Sequence, residues 1–237
     1  MNDTADIGNI DVHHHIRNYF ANENGGDERS CPQDRFASFD YCFNYFQSFR
    51  ERWRIADIGT ADNLQQSCLH IAFYLASWGM LRGSSVLLQR SVKFYCPLID
   101  TITRLDNQLW GIDVDAYTDD NISLLLMAAE EIRKAVGGGK WASDTLVTKI
   151  MLGVFGNVPA FDTYFGKGLG VWTLNPASLK RVAEFYGCHR DVIDECAASI
   201  QTLDFLTGEY SGRHYTKAKI VDMVGFMAGD RESASPT

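Results

Sequence analysis

Apolar residues along this chain recur at helical spacing almost from end to end. Phe36, Phe39, Phe43, Phe46 and Phe49 fall on one face of a helix over residues 35–54, with Tyr41, Cys42 and Tyr45 beside them. Residues 69–81, LHIAFYLASWGML, are apolar nearly all round, the pattern of a central buried helix. Arg82, Gly83, Ser84 and Ser85 interrupt it, and a second helix is expected through Val86, Leu87 and Leu88 with Gln89, Arg90 and Lys93 on its wetter side. Pro97 opens a helix expected to reach about Trp110, and Asp119 or Asp120 caps another over residues 122–136. Further helices are predicted from Asn175-Pro176 through ASLKRVAEFYG, from His189 to Phe205, and from about Tyr215 to Met227. No segment alternates apolar and polar residues in the manner of a strand, and no repeat occurs at a fixed period. The expected fold class is all-α, a compact multi-helix domain over residues 34–228, with room for two lobes, behind a polar N-terminal arm over 1–33 and ahead of a flexible tail over 229–237.

The most informative stretch is residues 143–165, SDTLVTKIMLGVFGNVPAFDTYF. Ser143 or Asp144 caps a helix whose apolar face is Leu146, Val147, Ile150, Met151 and Val154, with Lys149 pointing the other way. Gly156 and Asn157 suit its C-terminus, and Pro159 prevents continuation. Asp162 then stands where it can cap a short helix over Thr163 to Gly168. Immediately upstream, Gly137, Gly138, Gly139 and Lys140 form a turn that exposes backbone N–H groups between two helices.

Composition narrows the setting. The chain has 237 residues, 46% of them hydrophobic and 22% charged, which suits a soluble globular protein able to bury a substantial core. No apolar run has membrane length and the N-terminus lacks signal-peptide order, so a cytoplasmic location is expected. Six cysteines without a CxxC pair indicate neither a zinc knuckle nor a redox dithiol, and no metal or other cofactor is expected. The net charge of −8 opposes indiscriminate nucleic-acid binding, while leaving room for one basic face. The basic run Arg50, Arg52 and Arg54 at a helix end is placed to meet phosphates.

The order helix, GGGK turn, amphipathic helix, FG, Pro, aromatic-Asp-Thr-aromatic resembles the core of the helix-hairpin-helix DNA glycosylases. The matching residues are Phe155, Gly156, Pro159, Phe161, Asp162, Thr163 and Tyr164, and the resemblance covers about 30 residues, essentially 137–165. It implies base excision from DNA, with Asp162 as the catalytic acid that supports the cationic sugar or activates water. Lys149 is its companion in the candidate catalytic set, as a phosphate or salt-bridge partner. The resemblance further implies that Gly137, Gly138, Gly139 and Lys140 grip a DNA phosphate, helped by Lys149 and Lys167. Candidates for the pocket that receives the flipped base are Tyr45, Phe46, Trp78, Arg82, Ser85, Gln89 and Tyr164.

The chain also departs from that family. The LPGVG hairpin is not present as such, and Asp144 and Thr145 stand where bifunctional members carry a lysine. A monofunctional enzyme acting as a monomer is therefore expected. The unusual hairpin and abundant aromatics point to a bulky modified base, of the kind found in phage DNA, and hence to anti-phage defence as a setting. Two other readings compete. DVHHHI at residues 11–16 resembles the DxHxH opening of metal-dependent amidohydrolases, with Asp11, His13 and His15 as ligands at a strand end. Alternatively, the aromatic helix over 35–54 serves a non-catalytic helical adaptor.

Overall fold

The computed structural model describes residues 7–21, 31–83, 85–137 and 142–230. Ten α-helices and one two-stranded sheet make up its regular structure: α1 (Val12–Phe20), α2 (Ala37–Glu51), α3 (Leu64–Ser77), α4 (Cys96–Arg104), α5 (Asp119–Ala135), α6 (Asp144–Phe155), α7 (Thr163–Leu169), α8 (Pro176–Cys188), α9 (Arg190–Ser199), β1 (Gln201–Leu203), β2 (Tyr210–His214) and α10 (Lys217–Gly229). The protein is thus mostly helical.

Local chemistry accounts for the helix ends around the core. Ser143 accepts a hydrogen bond from the Leu146 N–H at 3.2 Å and starts α6, and Gly156 stops it in the left-handed region at φ 70°. Thr118 caps α5 in place of the acids that follow it, and Asn175 with Pro176 opens α8. Helix α6 is the axis of the packing: every residue from Leu146 to Phe155 is buried, and α2, α3 and α5 pack around it. It therefore has no polar face, contrary to the amphipathic pattern read from its sequence.

Several boundaries move. The helix expected over 69–81 is α3, beginning at Leu64 and ending at Ser77, and it leaves Leu69 and Phe73 exposed rather than being buried all round. Val86–Gln89 and Val92–Tyr95 form short 3-10 turns, not one helix. The helix begun near Pro97 ends at Arg104, and a separate 3-10 turn over Asn107–Trp110 follows. Residues 201–214 make an antiparallel hairpin, Gln201 opposite His214 and Leu203 opposite Tyr210, where the helix from His189 was expected to continue. Thr202 and Asp40 explain why. The Thr202 hydroxyl donates to Asn44 Oδ1 at 2.8 Å, and the Leu203 N–H donates to Asp40 Oδ2 at 2.9 Å, so α2 supplies partners that a helix could not meet. Residues 7–20, expected in a loose arm, are seated instead: Val12, Ile16 and Tyr19 are buried, and α1 packs on α10. The expected tail beyond Asp230 lies outside the described residues.

Asp40 is one of the few buried acids. Burial pushes its pKa up to about 7, against hydrogen bonds from the Tyr215 hydroxyl at 2.6 Å and the Leu203 N–H. Because the folded value lies above the ordinary 3.8, the folded state holds a proton that the unfolded chain releases between about pH 4 and 7. Its contribution to stability is complete below that window and is lost as pH rises through it. Relative to Asp40→Asn, the wild-type protein is expected to lose stability between pH 4 and 7. Urea midpoints measured across that range check it, and parallel curves for the two proteins would contradict it. Asp113, pushed up to about 6 by burial, is common to both proteins and cancels in the comparison.

Candidate functional site

The segment between α6 and α7 folds back along the helix it has just left. Asn157 donates to the Leu109 carbonyl at 3.0 Å, and Tyr117 donates to the Asn157 carbonyl at 2.7 Å. Further on, the Ala160 N–H donates to Asp222 Oδ1 at 2.9 Å and the Phe161 N–H to Thr148 Oγ1 at 2.9 Å. The Thr145 hydroxyl donates to the Phe161 carbonyl at 2.7 Å. Thr145, Thr148 and Lys149 lie three and four residues apart, hence on one face of α6, and that face receives the returning chain. This is why Lys149 is buried, where its sequence context had placed it on a polar surface.

The return delivers Asp162 to the start of α7. Its Oδ1 accepts from the Tyr164 and Phe165 N–H groups, each at 3.0 Å, as an N-cap. Its Oδ2 meets Lys149 Nζ at 3.2 Å, with the side chains 16% and 5% exposed respectively. Three donors thus converge on one carboxylate that still reaches solvent on its remaining edge.

An indole forms the adjoining wall. Trp78, the C-cap of α3, carries Lys149 Nζ 5.1 Å and Lys219 Nζ 5.2 Å from its ring centroid, and the Arg35 guanidinium at 5.7 Å. Phe36 and Phe226 pack edge-on against it at 5.6 and 6.0 Å. Its own Nε1–H is buried and has no acceptor, a donor left available in an otherwise aromatic and cationic environment. Tyr164 reaches the same cluster through Phe226 at 5.0 Å, and Lys167 lies 5.6 Å from the Tyr164 ring on the exposed side.

A second buried ion pair lies behind the first. Lys219 Nζ meets Asp222 Oδ2 at 2.9 Å and donates to the Tyr19 hydroxyl at 3.1 Å. Burial pushes the Lys219 ammonium down, but the Asp222 carboxylate and the Tyr19 oxygen outweigh it, so its pKa is raised. Burial pushes the Tyr74 phenol well above its ordinary value, with the negative charges of Asp222 and, more weakly, Asp162 adding to it. The same Asp222 holds the Ala160 N–H, so the second pair braces the segment that presents Asp162.

The structure therefore brings together Asp162, Lys149, Trp78, Tyr164 and Lys167 from the sequence-derived set. It does not bring the others there. Tyr45 stacks on His70 at 4.1 Å and bonds to Ser67, in a separate groove of about 1080 Å³ shared with Phe73, Phe205 and Leu206. Phe46 is wholly buried in the core. Ser85 donates to the Met80 carbonyl at 2.6 Å and caps the turn that follows, Arg82 is exposed with its side chain over Gly79, and Gln89 is exposed. Gly137 donates to the Lys134 carbonyl at 3.4 Å after α5; Gly138, Gly139 and Lys140, with Ser84, lie outside the described residues. Sequence reasoning missed Arg35, Tyr19, Lys219 and Asp222. The i, i+3 spacing of Lys219 and Asp222 on α10 was a local signal for that pair, whereas nothing local marked Arg35 and Tyr19, whose partners are on distant elements.

The N-terminal histidines take a different form from the expected strand end. Asp11 is the N-cap of α1, accepting from the His14 N–H at 2.9 Å, and His13 and His15 follow on the helix itself. Two residues on a helix are separated by roughly 200° around its axis, so these side chains diverge. Among the described residues no group of three or more His, Cys, Asp or Glu side chains is placed to hold a metal ion, and no helix is long and apolar enough to cross a membrane. Comparison of the chain with family models, with characterised proteins and with solved structures found no match in any of the three.

Proposed function

We propose that this protein excises a modified base from DNA by hydrolysing its N-glycosidic bond, in the manner of the helix-hairpin-helix DNA glycosylases that residues 137–165 resemble. The observation that carries the reading is the partly open Asp162 carboxylate, held by two helix N–H groups and Lys149 beside the Trp78 indole. Cleavage of a glycosidic bond places positive charge on the sugar ring as the C1′–N electron pair leaves with the base. A fixed carboxylate next to the sugar lowers the cost of that charge. Asp162 also takes the proton of the water whose oxygen bonds to C1′, and the departing base is protonated in turn.

Lys149 keeps the carboxylate in place through the cycle as its salt-bridge partner. Trp78 and Tyr164 offer the aromatic surfaces against which a flipped base stacks, and the unpartnered Trp78 N–H offers a donor to a base carbonyl. Lys167, exposed beside Tyr164, faces the phosphates of the strand, and the resemblance assigns the phosphate grip to residues 137–140. The substrate class we favour is duplex DNA carrying a bulky modified base, with defence against phage as the setting and a monomer in the cytoplasm as the acting form.

The test incubates wild-type protein and Asp162→Asn, in EDTA, with duplexes carrying uracil, 8-oxoguanine or phage-type modified bases, followed by heat and alkali. Strand scission is expected with the wild type on modified DNA and not with Asp162→Asn, and only after the alkaline step. Equal cleavage by the two proteins, or none by the wild type on any duplex, rejects the reading.

A further inference from the structure

Helix α2 ends in a geometry that normally selects glycine. The Arg54 N–H donates to the Phe49 carbonyl and the Trp53 N–H to the Arg50 carbonyl, both at 2.9 Å, the paired bonds of a Schellman motif. The residue that must turn left-handed there is Trp53, at φ 56°, the one non-glycine with positive φ among the described residues. A bulky side chain at such a position is strained, and burial commonly compensates. Here nothing compensates: Trp53 is 94% exposed.

The surroundings suit an anion with a flat group attached. Arg50, on the cavity wall, and Arg52, the residue before Trp53, have no carboxylate partner among the described residues, although Arg50 donates to Gln47 Oε1 at 3.4 Å; Arg54 is paired with Asp57. Glu51, the acid in the run, is taken up by Arg213 at 2.7 Å. Beside Trp53 lies a cavity of about 610 Å³, lined by Arg50, Thr103, Asn107, Gln108 and Trp110 among others. Trp110 is only 3% exposed, yet its indole N–H is buried without an acceptor. Amide side chains on the cavity wall, a free indole face and two guanidinium groups without a carboxylate partner make complementary demands. They call for one ligand with a π-face, carbonyl acceptors and negative charge.

We infer that the Trp53 corner is a second binding site, which takes a nucleotide unit of single-stranded nucleic acid. The base stacks on Trp53 with its edge toward Asn107 and Gln108, and the phosphate lies against Arg50 and Arg52. The corner is separate from Asp162. Arg35 and Phe36, at the other end of α2, touch Trp78. Fifteen residues of helix, roughly 22 Å at 1.5 Å per residue, lie between the two places. The inference does not depend on base excision, although a strand reaching both places would be anchored about six nucleotide steps from the reacting sugar.

The experiment measures anisotropy of a fluorescein-labelled twelve-residue oligothymidylate titrated with wild type, Trp53→Gly, Arg52→Gln and Gly187→Ala, with thymidine monophosphate and a twelve-base-pair duplex as competitors. Trp53→Gly suits the left-handed position, so it folds at least as well as the wild type while removing the stacking surface. It is expected to bind at least about tenfold more weakly. Arg52→Gln is expected to lower the steepness of the salt dependence by about one phosphate contact. Gly187→Ala, on α8 and away from both places, should bind as the wild type does. Competition by the single strand above the mononucleotide and the duplex supports the strand as the source of the nucleotide; competition by the mononucleotide at equal concentration reassigns the site to free nucleotides. Saturable binding that Trp53→Gly leaves unchanged, or no saturable binding by the wild type, overturns the inference whether or not excision is observed.

Discussion

Lys219→Met is expected to lower folding stability by roughly 3–5 kcal/mol, measured as a fall in the urea midpoint at unchanged slope. Lys219 is among the largest wholly buried side chains, and its ammonium lies 4.6 Å from the centroid of Phe39 and 5.1 Å from that of Tyr19. Methionine fills a similar volume, so the loss comes from what remains rather than from a void. Asp222 Oδ2 is left buried without its cation, and the Tyr19 hydroxyl loses its donor. Pairing the change with Asp222→Asn should recover much of the stability, because the stranded charge is then gone too. Recovery of activity should be poorer. Asp222 Oδ1 holds the Ala160 N–H, and an amide in its place is a weaker acceptor at the segment that delivers Asp162. If Lys219→Met were as stable as wild type, the buried pair would have no structural role.

Gly168→Ala should have a comparable effect through a different cause. Helices α7 and α10 approach so closely that a Cβ on Gly168 would lie 2.1 Å from the Gly225 carbonyl oxygen, and one on Gly229 would lie 1.8 Å from that of Tyr164. Both obstacles are backbone, which cannot rotate away as a side chain can, so the helices must separate. A loss of about 3 kcal/mol, at the upper end of ordinary overpacking, is expected in thermal or urea denaturation. Gly187→Ala is the matched control. Nothing lies within 4 Å of its added Cβ, in the last turn of α8, and a small gain is expected there from helix propensity alone. Because Asp162 caps α7, its displacement should also depress the proposed base excision at temperatures where Gly168→Ala remains folded. Full stability in Gly168→Ala would mean that α7 and α10 do not pack at the separation described.

Much of the candidate site was legible where its chemistry is local. Ser143 as a cap, Gly156 as a left-handed stop and Asp162 as the cap of the next helix each depend on a few neighbouring residues, and each stands where its sequence position indicates. Lys149 was read from the sequence as a phosphate or salt-bridge partner, but its burial was not legible, because α6 is enclosed and the polar face assigned to Lys149 is occupied by its own returning chain. The aromatic stripe of α2 was recognised correctly as helical, yet its spacing could not tell Phe46, in the core, from Tyr45, beside an open groove. Residues 201–203 followed a helical pattern too. They became a strand because Asp40 and Asn44, some 160 positions earlier, offered hydrogen-bond partners.

The amino-acid sequence by itself determined the helical class, the caps of α6 and α8, the stop of α6, and the placement of one acid at a helix start after a rigid turn. These follow from propensity and from hydrogen bonds within a few residues, which any compact arrangement of the chain would retain. Only the tertiary structure decided which charges are buried, that Lys149 and Lys219 share the Trp78 indole, that residues 7–20 belong to the core, and that Trp53 stands exposed above an unfilled cavity. Each of those outcomes depends on the dielectric and steric surroundings supplied by distant elements, which the spacing of residues along a single helix cannot encode.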